Sequence, residues 1–125
     1  MIKTNELRIG NRVRFSENHT VWEVLEINAT GLLVANEEEE TWIEIDQFEP
    51  IPLTEDWLLK LGFNDGFIET ELYTISVVYY DNWNIFFNEK AVKYAMEFYF
   101  SGFPSIHEIQ NLFFIFTNQE LTLCQ

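Results

Sequence analysis

The first half of the chain sets apolar against polar positions in short runs. Arg12-Val13-Arg14-Phe15, Val21 to Ile27 (VWEVLEI), Leu32 to Ala35 and Thr41 to Ile45 are rich in β-branched and aromatic residues. Period-two spacing puts alternate side chains on one face of a strand. Turn chemistry separates the runs: Ile9-Gly10-Asn11, Ser16-Glu17-Asn18, Asn28 to Gly31, and Asn36 to Glu40. Short strands with turns roughly every ten residues predict a small, strongly bent antiparallel sheet, SH3-like in size and spacing. Pro50 and Pro52 close that ladder, because neither carries an N–H to donate.

Leu53 to Phe63 (LTEDWLLKLGF) predicts a short helix with both ends marked. Thr54 is placed to cap the first turn, and Glu55 and Asp56 sit where the helix dipole favours negative charge. Gly62 fits the left-handed position after the last turn, letting Phe63 fold back onto Leu58. Strands follow at Phe67 to Glu71, Tyr73 to Tyr80 (YTISVVYY) and Trp83 to Phe87, the last two joined at Asp81-Asn82. Glu89 to Phe100 fits either period; its aromatic end favours a strand from Tyr94 to Phe100 over a helix capped by Asn88. Ser105 and Glu108, three apart, form a capping box for a helix running to Asn118. On it Ile106, Ile109, Leu112, Phe113 and Phe116 make one stripe, which Phe114 and Ile115 extend almost around the second half.

The expected class is therefore α+β, one domain of 125 residues with a barrel-like part at 1–53 and helix, β-meander and C-terminal helix at 54–125. Composition adds an aromatic share of 17%, rings that require a core or an interface. The lone Cys124 has no partner for a disulfide, and no apolar run reaches signal-peptide or membrane-span length, so a cytoplasmic location is expected. The sequons at Asn18 and Asn28 matter only on a secretory route. A net charge of −14 opposes direct nucleic-acid binding. No Lys or Arg stands between Arg14 and Lys60, an interval that holds Glu37, Glu38, Glu39, Glu40, Glu44, Asp46 and Glu49.

Three stretches carry a resemblance. NELRIGNRVRF (Asn5 to Phe15), FEPIPLTEDWLLKLGF (Phe48 to Phe63) and IHEIQNLFFIFTNQEL (Ile106 to Leu121) resemble a family of small uncharacterised proteins of gut bacteria, their phages and mobile elements. They cover about half the chain. At Asn118-Gln119 the family commonly has Gly-Glu, and no catalytic role comes with the resemblance.

Catalytic constellations are thin. The histidines are His19, in a turn, and His107, at the second position of a capped helix, where the dipole disfavours protonation. There is no Gly-rich phosphate loop, zinc spacing or EF-hand pattern, so neither cofactor nor metal is expected. Neighbouring carboxylates of the Glu37 to Glu40 run diverge along an extended chain and cannot converge on calcium. Glu44 with Asp46, and Glu69 with Glu71, stand at strand spacing, and a hydrolase would need such a pair in a cleft. Gln110 and Asn111 interrupt the apolar helix, either to contact a ligand or partner or, as the favoured reading, to bond backbone at a sheet edge or face solvent.

The leading expectation is a non-enzymatic protein-interaction module of phage or mobile-element type. Its partner is another protein or a second copy in a homodimer, met through Gln110, Asn111, Phe113, Phe114 and Phe116. The alternative is an acidic DNA mimic that blocks a host DNA-binding protein through Glu37 to Glu40, Glu44, Asp46 and Glu49.

Overall fold

The computed structural model describes residues 2–71, 73–89, 97–102 and 104–121. Two units make up the chain, Met1–Pro52 with Ser105–Leu112, and Leu53–Pro104 with Phe113–Gln125. The class is α+β, antiparallel sheets with helices. The expected joint near residue 53 falls between the units, but the C-terminal helix is divided: its first half belongs with the barrel-like part.

In the first unit, β1 (Arg12–Phe15), β2 (Val21–Ile27), β3 (Gly31–Ala35), β4 (Glu40–Glu44) and β5 (Phe48–Glu49) form one antiparallel sheet ordered β4-β3-β2-β1-β5. Asparagine side chains set its turns. Asn28 Oδ1 accepts from the N–H groups of Thr30 and Gly31, at 3.0 and 2.8 Å, and Asn36 Oδ1 accepts from those of Glu38 and Glu39, at 2.9 and 3.0 Å. At Gly31 a Cβ would stand 2.9 Å from the Ile43 carbonyl oxygen, so the close approach of β3 to β4 requires glycine. A register shift between Val24 and Glu26 marks a bulge in β2.

Val13, Trp22, Val24, Leu32, Val34 and Phe48 build the core of this unit with Ile2 and Leu7. The indole Nε1 of Trp22 is buried and, among the described residues, meets no hydrogen-bond acceptor. Sequence patterning passed over β5, whose two residues are too few to show a period; Phe48 nonetheless pairs with Phe15 and meets its ring edge-on at 6.4 Å. Ile45, expected at the end of a strand, instead opens a 3-10 turn, Ile45–Gln47.

The second unit begins with α1 (Glu55–Lys60), whose ends follow the expected chemistry. Thr54 Oγ1 accepts from the Trp57 N–H at 3.2 Å. Gly62 has φ 96°, and the Phe63 and Gly62 N–H groups donate to Leu58 and Leu59 O at 2.9 and 3.1 Å, a Schellman ending. Then β6 (Phe67–Glu69), β7 (Tyr73–Tyr80), β8 (Asn82–Glu89) and β9 (Glu97–Gly102) form a meander in sequence order. Asp65 and Gly66, at φ 52° and 82°, make the tight turn into β6. Strand β6 ends at Glu69, two residues before the expectation, so Glu71 falls outside the strand. Of the stretch that fitted either period, Glu97–Phe100 is strand, while the expected strand start at Tyr94 to Met96 lies outside the described residues, as does Cys124.

The last helix, α2 (Ile106–Thr117), starts with half of the expected capping box: Glu108 Oε1 accepts from the Ser105 N–H at 3.3 Å, but the Ser105 hydroxyl donates to the same carboxylate instead of accepting from the Glu108 N–H. Ile106, Ile109 and Phe113 of the predicted stripe are buried, and so are His107 and Gln110. In the second unit, Phe116 stacks on Phe87 at 4.2 Å and meets Tyr73 edge-on at 6.1 Å.

Candidate functional site

The two polar residues that interrupt α2 are committed within the first unit. Gln110, 1% exposed, accepts from the Arg12 N–H at 2.8 Å and donates to Gly10 O at 3.2 Å. Asn111 Oδ1 accepts from Asn11 Nδ2 at 2.8 Å and from the Arg8 guanidinium at 3.4 Å, while its Nδ2 donates to Glu6 O at 2.9 Å. Buried Asn11 in turn accepts from the Arg8 N–H at 2.7 Å. NELRIGN and EIQN therefore supply opposite sides of one hydrogen-bond network. Two of the three stretches behind the family resemblance meet there.

His107 stands one helical turn before Gln110 and is as deeply buried. Its Nδ1 lies 3.0 Å from Ser105 Oγ and its Nε2 3.6 Å from Glu6 Oε1. The serine hydroxyl donates to Glu108 Oε1 at 2.7 Å, which leaves it an acceptor for an Nδ1–H. Burial holds the His107 pKa below its ordinary 6.5, against the opposing pull of Glu108 and Glu6. The helix dipole acts in the same direction as this desolvation. Serine, histidine and carboxylate are thus within reach of one another, but Ser105 and His107 are both buried. Their visible role is to lock the first turn of α2. His19 is exposed at φ 62°, with Nε2 3.2 Å from Glu49.

The acids divide. Glu37 to Glu39 form the tip of the β3–β4 hairpin, and Glu40 and Glu44 point outward from edge strand β4 with Trp42 between them. Asp46 lies exposed in the 3-10 turn, out of strand register with Glu44, and Glu49 pairs with Arg14. Among the described residues no group of three or more acidic, His or Cys side chains is placed to hold a metal ion. No described helix is long and apolar enough to cross a membrane.

Of the aromatic residues on α2, Phe113 is buried, and Phe114 and Phe116 are half-buried; the exposed apolar residue there is Ile115, at 72%. The larger exposed apolar surface is on β7, which the sequence pattern did not single out. Val78, Tyr79 and Tyr80 are exposed in succession, Tyr80 to 77%. Beside them, within the second unit, lies a groove of about 430 Å³. Val77, Val78 and Tyr79 line one side and Leu58 and Leu59 of α1 another. Trp83 closes on Tyr79 edge-on at 5.2 Å. The carboxylates of Glu55 and Asp65 also line it, and no Lys or Arg does so among the described residues. The run VVYY was the available signal: alternation ceases in it, and a strand that is apolar on both faces needs cover on both.

Comparison with protein-family models, curated proteins and solved structures finds no match for this chain.

Proposed function

We propose that this chain is a non-enzymatic protein-interaction module that docks a basic partner in the groove of its second unit. One observation carries the proposal: exposed Leu59, Val78 and Tyr79 line a concave surface, part apolar and part polar, whose charged lining is acidic. Apolar contact supplies affinity there, and the carboxylates, within a chain of net charge −14, select and steer a partner of opposite sign. The order and spacing of the first unit's strands support reading it as an SH3-like barrel that acts as scaffold. The resemblance of its opening and closing stretches supports a phage or mobile-element setting.

Panning a randomised peptide library against the folded protein tests this reading. Enriched sequences rich in Lys or Arg, lost on a Leu59→Arg/Tyr79→Arg variant of unchanged fold, are the expected result. Failure to enrich any sequence that depends on those two positions would overturn it.

A further inference from the structure

Strand β7 is longer than the neighbour that covers it. β6 pairs with it at Phe67–Ser76, Ile68–Ile75 and Glu69–Thr74, and the Val77 N–H still donates to Gly66 O at 2.8 Å. There the chain turns away through Asp65 and Gly66. A Cβ on Gly66 would lie 2.6 Å from Val77 O, so even this last pairing depends on glycine. On its other side β7 pairs with β8 all the way to Tyr80–Asn82.

In an antiparallel ladder the backbone groups of alternate residues face the same neighbour. Toward β6 these residues are Tyr73, whose O accepts from the Thr70 N–H at 2.8 Å, then Ile75, then Val77. Tyr79 is next in the alternation. Its N–H and C=O face the side that β6 has left, with no strand beside them among the described residues. That edge and the groove coincide, since Val77, Val78 and Tyr79 belong to both.

We infer that the groove receives an extended segment of a partner chain as an added strand on the open half of β7. Residues of the segment bond the Tyr79 N–H and C=O, an apolar side chain enters between Leu58 and Trp83, and a Lys or Arg meets Glu55 and Asp65. The inference rests on the interaction-module reading above and adds the mode and chemistry of docking. Strand addition takes affinity from main-chain bonds and specificity from pockets for alternate side chains, and edge and groove supply one of each. Charge selects the occupant. A second copy of this chain would bring further acid to Glu55 and Asp65, whereas a basic segment neutralises them.

The test uses the full chain and a panel of capped heptapeptides in which an apolar residue alternates with Lys or Arg. Binding is followed by amide resonances and hydrogen exchange. Expected are saturable shifts at Val78 and Tyr79 and at least tenfold slower exchange of the Tyr79 amide. N-methylation at alternate peptide positions should weaken binding at least tenfold, with little effect at the positions between. Glu in place of Lys or Arg, or a Glu55→Lys/Asp65→Lys protein, should abolish it.

If peptides enriched by panning bind while N-methylation and Tyr79 exchange show no effect, strand addition is overturned and the interaction module stands. If no panel peptide shifts these residues, the basic-segment proposal is overturned, whatever panning finds. A concentration-dependent dimer that Val78→Lys dissolves would instead make a second copy the occupant, also overturning it.

Discussion

The two units use opposite chemistry on one helix. In the first, α2 is fixed by side-chain amides: Gln110 and Asn111 bond the Glu6 to Arg12 segment, and His107 is lodged between Ser105 and Glu6. In the second, the same helix is held by rings, with Phe116 against Phe87 and Tyr73. Their sheet edges differ as well. β4 presents Glu40 and Glu44, and like charges discourage edge pairing; β7 runs past its neighbour with Val78, Tyr79 and Tyr80 exposed. The contrast separates two kinds of contact. Directional amide bonds fix a register, whereas the apolar end of β7 has no strand beside it among the described residues and is the surface on which the proposed docking rests.

The largest test of that contrast is Gln110→Leu. It strands the part-buried Arg12 N–H and Gly10 C=O beside a buried helix face, at a cost of about 3 kcal/mol in urea unfolding. Phe116→Leu should lose only about 1 kcal/mol, because an apolar side chain still fills part of the space. Should the ring substitution cost more, the polar lock is the weaker fastening and the comparison inverts.

Gly66→Ala follows, at about 2 kcal/mol, since a side chain is strained at φ 82° and meets Val77 O. Loss of hydrogen-exchange protection at Val77 should accompany it. Protection unchanged from the parent would mean that β6 does not depend on this glycine for its last pairing.

His107 gives a smaller, pH-dependent effect. Its folded pKa lies below 6.5, so between those two values the unfolded chain binds the extra proton. Its contribution is complete above the unfolded pKa and is lost as pH falls through 6.5 toward the folded pKa. The slope from this one group cannot exceed about 1.4 kcal/mol per pH unit. Unfolding curves measured down to pH 5 should flatten in His107→Gln, and an unchanged slope would assign the titration elsewhere.

The smallest effect on stability, within about 0.5 kcal/mol, is expected for Glu40→Val/Glu44→Val, because both side chains are exposed. Self-association should nevertheless rise, visible in light scattering, as the acidic edge becomes apolar. A variant that scatters no more light than the parent would show that charge is not what protects β4.

Elements with their own local code were legible from residue order. α1 was bracketed by Thr54 and Gly62, α2 was announced by Ser105 and Glu108, and the first four strands by period-two runs between asparagine turns. These signals act within a few residues, so they survive without knowledge of the fold. The site was less legible. That Gln110 bonds backbone was among the expectations, but its partners, Gly10 and Arg12, stand about a hundred residues away in the chain, and only the fold shows that they satisfy both ends of its amide. The four glutamates after Asn36 were legible as a turn because Asn36 organises them locally.

By itself, then, the sequence determined the helix ends, the strand runs and the acidic hairpin tip, all consequences of neighbouring residues. Tertiary structure decided that the strand of Tyr73 to Tyr80 outruns Phe67 to Glu69, that Tyr79 faces a side with no strand beside it among the described residues, and that Glu55 and Asp65 line the groove there. Which edge is covered depends on pairing between strands, and pairing is a property of distance in space that no window along the chain contains.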